Sequence, residues 1–130
     1  MVVGSSAVNL ANQWLNMLGA AAFTAPVGTY VKLHTADPGS AGATAASTVT
    51  TRPAVTWAAA SAGSKASNNT PSWAAWGGTN GEVVTHISVW DASSAGNFLF
   101  SAALSASKTV NTGDTLNLTS LSYALTPIAA

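Results

Sequence analysis

Glu82-Val83-Val84-Thr85-His86-Ile87-Ser88-Val89-Trp90 is the strongest strand signal in the chain, because β-branched residues recur through it and suit a pleated, half-buried surface. Strict alternation would place Val83, Thr85, Ile87 and Val89 on one face. The residues that follow, Asp91 to Asn97, are turn formers, and Asn97-Phe98-Leu99-Phe100-Ser101-Ala102-Ala103-Leu104 then reads as an antiparallel partner joined by a long turn. Upstream, Tyr30-Val31-Lys32-Leu33-His34-Thr35 alternates with Val31, Leu33 and Thr35 on one side. Ala36-Asp37-Pro38-Gly39 is a turn, and Ser40 to Ser47, built of small residues, reads as an exposed flexible loop. Thr51 to Trp57 is extended, and Pro53, with no N–H for a ladder, belongs at a strand start or edge. Ser61 to Thr70 reads as a polar loop, Pro71 to Trp76 as a short strand, and Gly77-Gly78-Thr79-Asn80-Gly81 as a turn cluster. Downstream, Lys108-Thr109-Val110 leads into the turn Asn111-Thr112-Gly113-Asp114, and Thr115 to Leu118 and Leu121 to Thr126 close the set. Short strands at such spacing predict a mainly β, single antiparallel β-sandwich of Ig-like type over 29–126.

Ahead of the strands the period changes. Asn9, Asn12, Gln13 and Asn16 recur at spacings of three and four, while Ala7, Leu10, Ala11, Trp14, Leu15 and Leu18 fill the opposite arc. This predicts one amphipathic N-terminal α-helix over 6–19, capped by Ser5 or Ser6 and closed by Gly19. Its polar face carries neutral amides, which suit a protein partner as well as water. Leu10, Trp14 and Leu18 are expected to pack on the sandwich or into an adjacent subunit. The length fits one domain, 1–130.

Composition narrows the function. Charged residues make up only 6% of the 130 residues and cancel to a formal net charge of +0, yet 48% are hydrophobic and five are Trp. Molecules that carry no net charge do not repel one another, so the chain suits repeated copies in an assembly, such as a homo-oligomer. Lys32, Arg52, Lys65 and Lys108 are scattered and balanced by Asp37, Glu82, Asp91 and Asp114, leaving no electrostatic footprint for nucleic acid. Cysteine is absent, which excludes disulfides, thiolate metal sites and a Cys nucleophile. The opening MVVGSSAVNL lacks a basic n-region, and no apolar run approaches the ~20 residues of a membrane span, so synthesis in the cytoplasm without membrane insertion is expected.

Five strings together carry a family resemblance. They are His34-Thr35-Ala36-Asp37-Pro38-Gly39; Arg52-Pro53-Ala54-Val55-Thr56-Trp57; Val84-Thr85-His86-Ile87-Ser88-Val89-Trp90-Asp91-Ala92; Asn97-Phe98-Leu99-Phe100; and Lys108-Thr109-Val110-Asn111-Thr112-Gly113-Asp114. With the helix before them, they resemble small structural proteins of tailed bacteriophages, of the tail-fibre or minor-tail kind. The resemblance implies a virion component, made in the host cytoplasm, whose partners are other tail or capsid subunits. It carries over no active-site residue. Capsid decoration, or cement, is the alternative within the virion.

The residues themselves leave further readings open. His34 is near Asp37 and His86 near Asp91 in sequence, but no nucleophile-elbow pattern accompanies them and a hydrolase is not expected. Neither the histidines nor the carboxylates have metal-ligand spacing, so no metal or cofactor is expected; His86 reads as a hydrogen-bonded sheet histidine, and Asp37, Asp91 and Asp114 as turn residues. Trp14, Trp57 and Trp90 lie on periodic elements and are expected in the core. Trp73 and Trp76 flank a Gly-rich turn; packing is favoured there, with a lectin-like contact to host-surface glycan, helped by Asn80, as the alternative. The sequons at Asn68 and Asn117 read as chance. Candidate contact residues are therefore Asn9, Asn12, Gln13, Asn16, Trp73, Trp76 and Asn80.

Overall fold

The computed structural model describes residues 3–125. Eight strands follow a short helical segment: β1 (Thr29–His34), β2 (Ala54–Val55), β3 (Ser64–Ala66), β4 (Ser72–Trp73), β5 (Glu82–Trp90), β6 (Phe98–Val110), β7 (Leu116–Asn117) and β8 (Ser122–Ala124). All ladders are antiparallel, and the chain is mainly β, as its alternation predicts. One four-stranded sheet runs β2-β1-β5-β6, and two short ladders, β3 with β8 and β4 with β7, complete a sandwich-like arrangement. Thr126, the expected end of the last strand, lies outside the described residues.

The core fills the inner face of the large sheet. Val31 pairs with Val89 and Leu33 with Ile87, and Val89 and Ile87 pair in turn with Phe100 and Ala102. Trp73, Trp76 and Leu121 join the same cluster. Alternation along β5 does not run through, however. The register between β5 and β6 slips between Val84 and His86, so Glu82 and Val84 are buried before the slip while Ile87 and Val89 are buried after it. Val83, which strict alternation would put on the face of Ile87 and Val89, is exposed. A bulge inserts a residue and exchanges the faces of everything beyond it, which a period-two reading cannot anticipate.

The segment after β1 is also more ordered than its small residues suggest. Pro38, Gly42 and Ser47 are buried, and the chain lies over the outer face of the sheet. Gly42 has φ +68, and a Cβ there would collide with the Phe98 ring, so both the conformation and the approach need glycine. Ser47 Oγ, the Thr48 amide and Thr48 Oγ1 all donate to the Glu82 carboxylate, at 3.0, 2.9 and 2.8 Å. Pro53 sits just ahead of β2, as expected of a residue without N–H. The span read as a polar loop over 61–70 holds β3, whose partner β8 lies far along the sequence; non-local pairing selected that strand.

The helical segment begins with a π-helical turn (Ala7–Ala11), continues as α1 (Asn12–Asn16) and ends in a 3-10 turn (Met17–Gly19). Ser6 caps it by accepting from the Asn9 amide. Ala20 (φ 61), and not Gly19, takes the left-handed closing conformation. Among the described residues no helix is long and apolar enough to cross a membrane.

Candidate functional site

The tryptophans divide between the core and its margin. Trp73 and Trp76 are buried, at 4% and 1% exposure, with Nε1–H donating to the carbonyls of Thr51 (3.0 Å) and Thr79 (3.2 Å). Their ring faces are unavailable for stacking on a sugar, which corrects the contact role weighed for them and leaves the packing role. Trp14, Trp57 and Trp90, expected in the core, are half-buried. Trp14 and Trp57 pack against the margin of the core, and Trp90 ends β5 on the outer face of the sheet. Asn80 is exposed, and its Oδ1 accepts from the Thr112 amide at 3.0 Å, holding two turns together.

The helical segment meets the sheet through only part of its apolar arc. Leu10 is buried, and Trp14 packs edge-on against Tyr123 with ring centroids 5.6 Å apart. Tyr123 in turn contacts Phe100 at 4.8 Å. Val8, Leu15 and Leu18, placed along one flank by their spacing, project into solvent with exposures of 73%, 64% and 88%. Of the two places expected for Leu18, the sandwich is thereby excluded and an adjacent subunit is left. Of the amides, Asn12, Gln13 and Asn16 are exposed, whereas Asn9 is half-buried and donates from Nδ2 to the Phe98 carbonyl at 2.9 Å. Asn9 thus holds the helix to β6, and only the other three remain free for a partner.

Beside this helix lies a groove of ≈ 710 Å³, walled by Leu10, Trp14, Phe23, Val55, Trp57 and Phe100 and rimmed by Val27 and Leu125. Apart from Lys65, its lining carries no charged side chain. The exposed large apolar side chains of the described residues are Val8, Leu15, Met17, Leu18, Val27, Leu125 and Val83. All but Val83 lie on the helical segment or the groove rim. Fully burying a Leu or Val contributes ~1.5–3 kcal/mol, so this concentration at one end forfeits stabilisation that a partner surface would restore. Amphipathic periodicity identifies the helix but not which part of its apolar side the sheet covers.

Titratable groups elsewhere are structural. His34 and Ser88 are fully buried; His34 Nδ1 lies 2.8 Å from the Thr44 carbonyl and Nε2 2.7 Å from Ser88 Oγ. A carbonyl, and no carboxylate, orients this imidazole, and no solvent reaches the serine, so the pair lacks the geometry of a nucleophile with its base. His86 Nδ1 lies 2.7 Å from Thr85 Oγ1. Asp37, Asp91 and Asp114 each accept from a nearby backbone N–H, of Gly39, Asn97 and Asn111. Among the described residues no cluster of His and carboxylates could hold a metal ion.

One protein-family model matches the chain, over residues 5–126: Gp80, the Podophage GP4 fiber I protein gp80. That span takes in the helix, the groove and every strand. No curated protein matches.

Proposed function

The chain belongs to the family of the Podophage GP4 fiber I protein gp80, a family of bacteriophage fibre proteins with a structural role in the virion, and from that premise we propose that it serves as a minor tail or tail-fibre-type subunit. It works without catalysis, through protein–protein contacts. The observation that carries this reading is the gathering of exposed apolar side chains on the helical segment and groove. Val8, Leu15 and Leu18 supply area to bury, Asn12, Gln13 and Asn16 supply hydrogen bonds at the rim, and the groove receives apolar groups from a neighbouring subunit. Residues 3–31 contain no charged side chain, so contact there desolvates no side-chain ion. Neighbours are other virion subunits, further copies of this chain among them.

Copy number separates this reading from capsid decoration. Quantitative mass spectrometry of purified particles should give a count set by the tail and far below that of the major capsid protein. A count comparable with the capsid protein would overturn the tail assignment in favour of decoration.

A further inference from the structure

The N-terminal arm, residues 3–19, is tied to the body chiefly along the outer edge of β6. The Gly4 carbonyl accepts from the Ser101 amide at 2.9 Å, the Ser6 amide donates to the Leu99 carbonyl at 2.6 Å, and Asn9 Nδ2 donates to that of Phe98. Ser5 lies opposite Phe100 across this short antiparallel bridge, and its hydroxyl meets that of Tyr123 on β8. Packing adds little to these bonds. Leu10 is the one apolar side chain of the arm that is buried, and Trp14 touches Tyr123 by a ring edge. Clefts flank the arm on both sides: the ≈ 710 Å³ groove opens between Leu10 and Trp14 of the arm and Val55, Trp57 and Phe100 of the body, and another of ≈ 760 Å³ lies between Gln13 and Asn16 of the arm and Asp91 and Asn97. A piece with so few buried contacts belongs to the low-stability end of a fold and is released at small cost.

The connection from the arm to β1 is held even less. Residues 22–28 make no backbone–backbone hydrogen bond among the described residues, and all but Phe23 and Gly28 are exposed. Pro26 offers no donor and biases Ala25 toward extended backbone. Seven residues of extended chain reach roughly 23–25 Å, enough to carry the arm off its own β6 to that of an adjacent copy. We propose that copies of this chain exchange their N-terminal arms, the arm of one docking on β6 and Tyr123 of the next. The proposal rests on the reading of this end of the molecule as an assembly surface and names a second copy as its occupant. The fit is already on display, because the chain's own arm occupies the dock. Each hydrogen bond made by Gly4, Ser6 and Asn9 forms equally well with the β6 of another copy, so exchange forfeits none of them. The arm carries no charged side chain, so docking between copies desolvates no side-chain ion. Val8, Leu15 and Leu18 stay outside in either form, free to pack where two copies lie side by side.

The lack of cysteine makes the exchange readable by cross-linking. Gln13 on the arm and Asn97 on the body are both exposed and line the same cleft, so the full chain carrying Gln13→Cys and Asn97→Cys can be joined there by a short bismaleimide. Unlabelled and 15N-labelled preparations of this variant are unfolded in urea, mixed equally, refolded together at high concentration and separated by size before cross-linking. Mass spectrometry then reads the peptides joined through positions 13 and 97. In the oligomeric fraction about half of these joined peptides should combine a light arm with a heavy body or the reverse, as random exchange between copies requires. In the monomer every joined pair should carry a single label, which also verifies that the arm of the variant docks. An oligomer whose joined pairs carry a single label would overturn the exchange while leaving the assembly surface standing. A chain that forms no oligomer would overturn it as well, and incorporation into particles remains the separate measure of that surface.

Discussion

His34 Nε2 sits 2.7 Å from Ser88 Oγ across the β1–β5 ladder, with both side chains fully buried beneath the segment that follows β1. The surrounding partners settle every proton in this arrangement. The Thr44 carbonyl can only accept, so His34 Nδ1 carries the hydrogen and Nε2 must accept from Ser88 O–H. Ser88 Oγ accepts in turn from Trp90 Nε1–H at 2.7 Å. A neutral imidazole is thereby fixed between a loop carbonyl and the edge of an indole.

Removing the middle of this chain strands both ends. Ser88→Ala leaves His34 Nε2 and Trp90 Nε1–H without their partner, at a cost of about 1–3 kcal/mol. Urea denaturation, comparing midpoints at unchanged slope, measures it. A midpoint equal to the parent's would show that water or a rearranged partner replaces the hydroxyl without loss.

Acid should loosen the fold at the same place. Burial is the largest cause holding the His34 pKa below its ordinary value; the charges of Lys32 and His86 act the same way, against the raising effect of the Thr44 carbonyl bond. The folded state therefore resists a proton that the unfolded chain accepts once the pH falls below about 6.5. Stability from neutral His34 is complete above that pH and is lost as the pH falls from there toward the depressed folded value. The slope from this group is at most about 1.4 kcal/mol per pH unit. Denaturation between about pH 7 and 5 should show this slope in the parent, and His34→Gln should flatten it. Equal slopes would remove His34 as the cause.

Glu82 gives a third test, because three donors converge on its carboxylate. Glu82→Gln replaces one acceptor oxygen by an NH2 that faces donors, and should cost about 1–3 kcal/mol. Hydrogen exchange should report faster opening at the Thr48 amide in particular. Protection unchanged at Thr48 would show that the carboxylate does not hold this segment.

Much of this architecture can be read from residue order, and the exceptions share a cause. The β5–β6 hairpin, the start of β2 at Pro53 and the Ser6 cap follow from local chemistry, which the sequence displays. The exchange of faces at Thr85 follows from a register slip against β6, and the existence of β3 depends on residues at the far end of the chain. Packing of Trp73 and Trp76 is the favoured reading of the sequence and is what the structure has, whereas periodicity cannot reveal that Trp14, Trp57 and Trp90 stay half-exposed. The helix amides show both sides of this: three face solvent as their spacing implies, whereas Asn9 is claimed by the Phe98 carbonyl.

Trp76→Ala should unfold the protein more readily than any change on the helix, costing roughly 3–5 kcal/mol as a large buried aromatic is lost. Trp14→Ala, at a half-buried indole on the groove wall, should cost clearly less by the same denaturation measurement. Equal costs would place Trp14 in the core after all.

The central claim is that the outward flank of the helical segment is an assembly surface, and the double substitution Leu15→Ser, Leu18→Ser tests it most directly through incorporation into purified particles, read beside the free protein's melting temperature. Both side chains are exposed, so the account predicts a free protein that melts like the parent but fails to join the particle, because interface anchors act on binding and not on folding. The parent's own attachment should vary little with salt. A double variant that is incorporated as well as the parent, or parental attachment that falls steeply as salt rises, would contradict the account.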